Sequence, residues 1–496
     1  MPHVLAIDAG TTGVKVLILD ETGAVRARAY REFAQSFPRP GWVEHDPHDW
    51  WAALLEATLA ALRDADLQAA DLAAVGITNQ RETTVLWDRG TLEPICPAIV
   101  WQDRRTAPLC RTLRDEGWEE RVHRRTGLVL DPYFSGTKVV WMLEHVEGAR
   151  EAAEGGRLAF GTVDAYVMAR LTAGKVHATD HTNASRTLLF DIHRLEWDRE
   201  ILERLGIPAT VLPEVRPSSG TFGTTDPEAF LGAAIPIAGV AGDQQAALVG
   251  QACFEPGDAK NTYGTGSFVL LNTGSRAPAA DGLLTTVAYS DDEGVRYALE
   301  GSIFVTGAAI QWLRDGLGII REAAEAGPLA GTVPDTGGVY FVPALTGLGA
   351  PWWDPHARGT IVGITRGTTA AHLARAAVEA MAYQTRDVVD RMVAEAGMAP
   401  SALNVDGGAS AMDLLCSFQA DLLGVTVRRP VQQETTAIGA AYLAGLATGV
   451  WASKEEAAAA WRLDRAFEPS GEDLSARYED WKRAVERSMA WDRSTS

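Results

Sequence analysis

The sequence predicts an α/β protein of two similarly built domains, on three observations. The chain has 496 residues, more than one hydrophobic core ordinarily serves. Two Gly/Thr hairpin turns, at residues 9–13 and 264–266, open two stretches of roughly 250 residues each. Strand-like and helical segments alternate within both stretches. No low-complexity linker separates the halves, and the expected boundary falls near Gly250, giving domains 1–250 and 251–496.

The elements follow in order. Residues 4–8 form a short apolar run, 14–20 are β-branched and apolar, and 24–33 alternate apolar with polar, so three strands are expected around two turns. Helical text covers 47–64, with Pro47 suited to a first turn. Further strands are expected at 72–78, 83–87 and 97–101, and the second hairpin spans 261–272. Leu373, Ala377, Met381, Val388 and Met392 mark one stripe of a long helix. A glycine pair, Gly407-Gly408, precedes another apolar helical run.

Composition excludes several classes. Charged residues are 22% and hydrophobic residues 46%, an ordinary globular mix. A formal charge of 45 − 65 = −20 argues against nucleic acid or an anionic membrane as partner, since both need a basic patch. Four cysteines without a C-x-x-C pair read as free thiols. The N-terminus carries no signal-like segment. The uncharged runs 336–353 and 435–453 are too rich in Gly, Pro, Ala and Thr for membrane spans. A cytoplasmic protein is expected.

Four constellations carry candidate chemistry. Asp8, Gly10, Thr11, Thr12, Gly13 and Lys15 suit a phosphate loop, glycine letting backbone N–H groups approach and Asp8 offering a Mg²⁺ ligand. A plain hairpin turn fits the same pattern equally well. Gly264-Thr265-Gly266 gains meaning only as its pair. Arg81-Glu82 ends a strand and offers fixed donors and acceptors to a vicinal polyol, or a surface salt bridge. Asp243 closes a Gly-rich apolar strand and reads either as a general base or as the N-cap of a helix starting at Gln244.

Residues 41–47, 76–84, 98–105, 131–138, 241–247, 260–266 and 347–354 together resemble glycerol kinases of the FGGY carbohydrate-kinase family, over residues 4 to 490. The resemblance implies the actin-like/sugar-kinase fold, a duplicated ribonuclease H-like α/β unit with an interdomain cleft. It implies ATP and Mg²⁺ as cofactors, glycerol as substrate, and a homo-oligomer, dimer or tetramer. By the same resemblance Arg81, Glu82, Tyr133, Asp243 and Gln244 contact glycerol, with Trp101 and Phe268 as apolar walls and Asp243 as base. Thr11, Thr12, Gly13, Thr265, Gly307, Gln311 and Gly408 are the implied nucleotide contacts, with Lys15 and Met412 beside them. Rival expectations are a family member acting on a pentulose or tetritol, and a non-catalytic actin-like ATPase.

Three departures stand out. Gly13 and Lys15 replace a serine and an arginine usual in the first loop, and Met412 replaces an adenine-side asparagine. Relatives that bind fructose 1,6-bisphosphate do so on an Arg-containing glycine loop, and others carry a phosphorylated histidine. Residues 222–236 contain neither Arg nor His, so neither control is expected here.

Overall fold

A computed structural model describes residues 2–492. Strands β1 (His3–Ala9), β2 (Gly13–Asp20) and β3 (Val25–Glu32) form an antiparallel meander. β1 and β2 are buried on both faces and so read as continuous apolar runs, whereas β3, at the sheet edge, carries mostly exposed and half-buried residues. On the far side of β1 lies the parallel strand β4 (Leu72–Asn79). Beyond it, β5 (Ser219–Thr224) and β6 (Pro236–Gly242) complete a six-stranded sheet of order β5-β6-β4-β1-β2-β3.

The second half repeats the plan. β7 (Ala259–Tyr263) and β8 (Ser267–Gly274) form the hairpin, and β9 (Leu284–Asp291) and β10 (Gly294–Ile303) extend it. β11 (Ala402–Asp406) and β12 (Thr426–Pro430) run parallel beyond β7, with β13 (Leu463–Phe467) antiparallel at the edge. The order is β9-β10-β8-β7-β11-β12-β13. In each sheet two parallel strands follow the hairpin's first strand, so the turns ending β1 and β7 hold equivalent positions.

Six helices matter for the site. α1 (Pro47–Ala65) is capped by the Asp46 side chain, which accepts from the His48 N–H. α2 (Asp243–Gly250), α3 (Gly307–Asp315), α4 (Ala370–Ala396), α5 (Asp413–Leu423) and α6 (Thr435–Thr448) follow. α6 is apolar on every side because it is buried: it returns from the second half of the chain to pack on β4 and β6 of the first sheet and on α2. Only small residues allow that approach. A Cβ on Gly239 would lie 2.3 Å from the Ala444 nitrogen, and one on Gly439 would lie 1.8 Å from the Ala246 carbonyl oxygen. Ala246, Leu248, Ala437, Ala441, Tyr442 and Trp451 form the shared core that joins the two halves.

Two expectations change. The strand at 97–101 shrinks to Ala98–Ile99. The helix after β6 begins at Asp243 with Gly242 as its N-cap, so Asp243 is not the capping residue. All four cysteines are free, three of them buried. Among the described residues no helix is long and apolar enough to cross a membrane.

Candidate active site

Where β4, β6 and β10 approach one another, buried charges form a chain. Arg81 and Glu82 follow β4 and are 2% and 1% exposed, so this is no surface salt bridge. Their own separation is 3.8 Å, and each has a tighter partner elsewhere. Arg81 donates through Nη1 and Nη2 to the Glu300 carboxylate at 2.5 and 3.1 Å. Its Nη1 also reaches Gln245 Oε1 at 3.2 Å, and its Nε lies 3.1 Å from Asp243 Oδ1. Glu82 accepts from Arg186 Nε at 2.7 Å, and Arg186 Nη2 donates to Glu300 at 3.1 Å. Breaking a buried pair of this kind by removing one partner costs about 3–5 kcal/mol.

Glu82 adopts a left-handed backbone, φ 62°, unfavourable for a residue with a Cβ. Its carbonyl is held there by the Thr84 and Ser135 hydroxyls at 3.0 Å each. The neighbours in this motif also brace the site. Gln80 donates to the Gly10 carbonyl in the first turn at 3.0 Å, and Thr83 Oγ1 accepts from the Trp101 N–H at 3.2 Å. Trp101 in turn donates through Nε1 to Thr11 Oγ1 at 3.0 Å and meets Tyr133 edge to face at 5.6 Å. Phe268, on β8, has the Arg81 guanidinium 5.6 Å from its ring centre. Arg81, Glu82, Trp101, Tyr133, Asp243 and Phe268 are therefore one neighbourhood. Gln244 is 8% exposed, and its side chain is engaged by Lys260 Nζ at 2.6 Å.

The electrostatics follow from burial. Burial raises the Asp243 carboxyl above the usual range, against the pull of Arg81, the Gln244 N–H and Lys260, with Glu300 adding to the rise. Its side chain keeps a 31% opening. Burial likewise raises Glu82 against Arg186 and Arg81. Glu300 differs: two arginines outweigh its burial and hold it at about 2. Burial lowers Lys260 to about 8.

The nucleotide-side candidates sit on turns. Gly13 must be glycine, because a Cβ there would lie 2.4 Å from the Arg31 carbonyl oxygen and 2.7 Å from the Tyr30 ring. Thr12 is exposed and shares a hydrogen bond with Tyr30. Lys15, across from Asp8 in the β1/β2 register, forms an ion pair with Glu434. It is thus already engaged by a carboxylate. The second turn supports α3: the Gly307 N–H donates to Gly264 O at 3.1 Å and the Ala308 N–H to Thr265 O at 3.0 Å. A Cβ on Gly307 would strike the Gly264 oxygen at 2.5 Å. Thr265, Gln311 and Gly408 are exposed, and nothing lies within 4 Å of where a Gly408 Cβ would stand. Met412 is the N-cap residue of α5 and packs on Gly327.

Burial pushes Asp8 up to about 7, Lys15 opposing while Asp243 and Glu434 add to the rise. A divalent cation here would relieve that repulsion. Among the described residues no three His, Cys, Asp or Glu side chains form a metal cage. A single carboxylate suits Mg²⁺, which keeps several waters and phosphate oxygens as ligands.

Sequence reasoning missed Glu300, Arg186, Gln245 and Lys260. Glu300 had a signal, being a lone acid within the apolar run of β10. Arg186 had none.

The model for the FGGY family of carbohydrate kinases, N-terminal domain, matches residues 3–250, and that for its C-terminal domain matches 259–448. Glycerol kinase 2 of Thermotoga maritima is 56% identical over 496 residues, covering 99% of this chain and 100% of that one. The glycerol kinase of Symbiobacterium thermophilum is 58% identical over 492 residues, 99% of each chain. Among solved structures, Plasmodium falciparum glycerol kinase with ADP superposes with a TM-score of 0.92 at 34% identity over 98% of each chain. A xylulose kinase from Lactobacillus acidophilus, at 21% identity and a TM-score of 0.87 over 98% of this chain and 97% of that one, shares the fold. With both family domains matched in order along two sheets of the same plan, the chain belongs to the FGGY family of carbohydrate kinases.

Proposed function

We propose that this chain transfers the γ-phosphoryl group of ATP to a terminal hydroxyl of glycerol. The observation that carries the reading is the buried set Arg81, Glu82 and Asp243 beside the Trp101–Tyr133 pair, in a chain 56–58% identical to proteins named glycerol kinase. Arg81 and Glu82 give a polyol fixed donors and acceptors, and Trp101 and Phe268 cover its carbon chain. Asp243 takes the hydroxyl proton as that oxygen attacks, and its raised basicity favours the transfer. The turns at Thr11–Thr12 and Gly264–Gly266 hold phosphates through backbone N–H groups, with Gly408, Gln311 and Met412 beside the base. Asp8 is the residue that would hold Mg²⁺, which supplies charge neutralisation on the phosphates when bound. The rest of catalysis is positioning and exclusion of water.

Residues 1–250 and 251–496 act as the two domains in this reading, in line with sheets drawn from 3–242 and 259–467. Four free thiols suit a cytoplasmic setting. A homo-oligomer is part of the reading, with exposed Phe37 and Ile364 as side chains it would cover; sedimentation tests it.

A polyol panel in a coupled ADP-release assay tests the substrate. Glycerol is expected to give the highest kcat/KM. Equal or better turnover of a pentulose or tetritol, or ADP release independent of any polyol, would overturn the reading in favour of the two rivals.

A further inference from the structure

The substrate-facing acids Asp243 and Glu82 belong to the first half of the chain, but the group that sets their arginines comes from the second. Glu300 lies on β10, is 0% exposed, and holds Arg81 through both Nη atoms. With its Nη atoms taken by Glu300, Arg81 stands with Nε 3.1 Å from Asp243 Oδ1 and makes no two-point contact with it. The same carboxylate holds Arg186, whose Nε grips Glu82. One buried acid thus anchors both arginines, and Phe268 stacks beside the first.

We infer that Glu300 is a positioning residue, which keeps Arg81 from closing a two-point clamp on Asp243 and so preserves Asp243 as a proton acceptor. A guanidinium free to turn would meet a carboxylate through two parallel N–H bonds, the stronger geometry. A base gripped in that way attracts a proton less well. Glu300 stays ionised throughout the working range, so it acts as a fixed negative charge and a fixed tether. The other charges facing Asp243 are Arg81, Lys260 and Asp8; Glu300 also supports the Lys260 ammonium, and a Lys260 neutralised in its absence would raise Asp243, opposite to the shift that a freed Arg81 produces.

The inference rests on Asp243 being the base, and the test separates the two. The experiment is the pH profile of kcat/KM for glycerol at saturating ATP in wild type, Glu300→Gln and Asp243→Asn. Glu300→Gln keeps shape and removes charge. The acid limb is expected to move to lower pH by on the order of one unit, with kcat down by about tenfold or more and KM for ATP within about twofold. An acid limb unmoved in a folded Glu300→Gln enzyme means that Glu300 only holds the fold together, and overturns the inference while leaving the base intact. If Asp243→Asn keeps wild-type turnover, the base assignment falls and this inference with it. Should Glu300→Gln fail to fold, Glu300→Gln with Arg186→Gln restores the balance of buried charge, and the same shift of the limb decides.

Discussion

The two ends of the proposed site, for polyol and for nucleotide, are built from different materials. The polyol end is made of side chains: Arg81, Glu82, Arg186, Glu300 and Lys260 are each no more than 2% exposed and bound to one another or to neighbouring polar groups. The nucleotide end is made of backbone turns, with Thr12, Gly264, Thr265 and Gly408 exposed. A small neutral polyol offers only hydroxyls, so discrimination needs fixed, desolvated partners that a wrong ligand would leave unsatisfied. A triphosphate carries its own charge, and backbone N–H groups with a cation suffice. Substitutions at the polyol end should therefore act more strongly than at the nucleotide end.

Arg81→Ala removes the partner of both Glu300 and Asp243, and should lower kcat/KM for glycerol by about 10²–10³-fold. KM for ATP should stay near wild type; a rise confined to ATP would reverse the contrast between the two ends. Still at the polyol end, wild-type kcat/KM for glycerol should fall about tenfold per unit below a midpoint above the ordinary carboxylate range. The sign follows from Asp243: burial raises its pKa, protonation disables it, and activity present at high pH is lost as pH falls through that value. A midpoint near 4 would place the base in a solvated setting.

Legibility divides along the same line. Both hairpins, the strand before Arg81 and the long helix Ala370–Ala396 were readable because period and turn chemistry are local. The motif at residues 76–84 pointed to Arg81 and Glu82, but not to Arg186 or Glu300, which lie 104 and 219 residues away from their partners. The packing of α6 on the first sheet was equally hidden, since its Gly and Ala residues show small volume and not the surface they fit. Gly13 was legible as a loop glycine, while its reason, the Tyr30 ring on its Cα, is a cross-strand contact.

Effects at the nucleotide end should be smaller. Lys15→Ala should raise KM for ATP by about 3–10-fold, and Lys15→Arg should be tolerated or better than wild type. In the alanine variant Glu434 also loses its cation, so an unchanged KM would mean that Lys15 serves that ion pair alone. Met412→Asn should sharpen ATP over GTP by no more than about threefold, since an amide can pair with a base edge and a thioether cannot. Equal nucleotide preference in both forms would remove Met412 from the base pocket. The smallest effect is none: fructose 1,6-bisphosphate titrated to millimolar levels should leave steady-state turnover unchanged. Among the described residues, the acids of residues 222–236 pair with Lys175, bound to Asp226 at 2.7 Å, and with no arginine, so the segment offers a phosphate no guanidinium fork. Strong inhibition below a millimolar would mean an anion site built elsewhere.

The most direct measurement is turnover of Asp243→Asn at saturating glycerol and ATP, taken together with its affinity for ATP. The expected result is an unchanged dissociation constant for ATP, an intact fold by circular dichroism, and turnover lower by about 10²–10⁴-fold, the usual loss for a missing general base. Near-wild-type turnover in that variant would contradict the assignment of the proton-accepting role to Asp243.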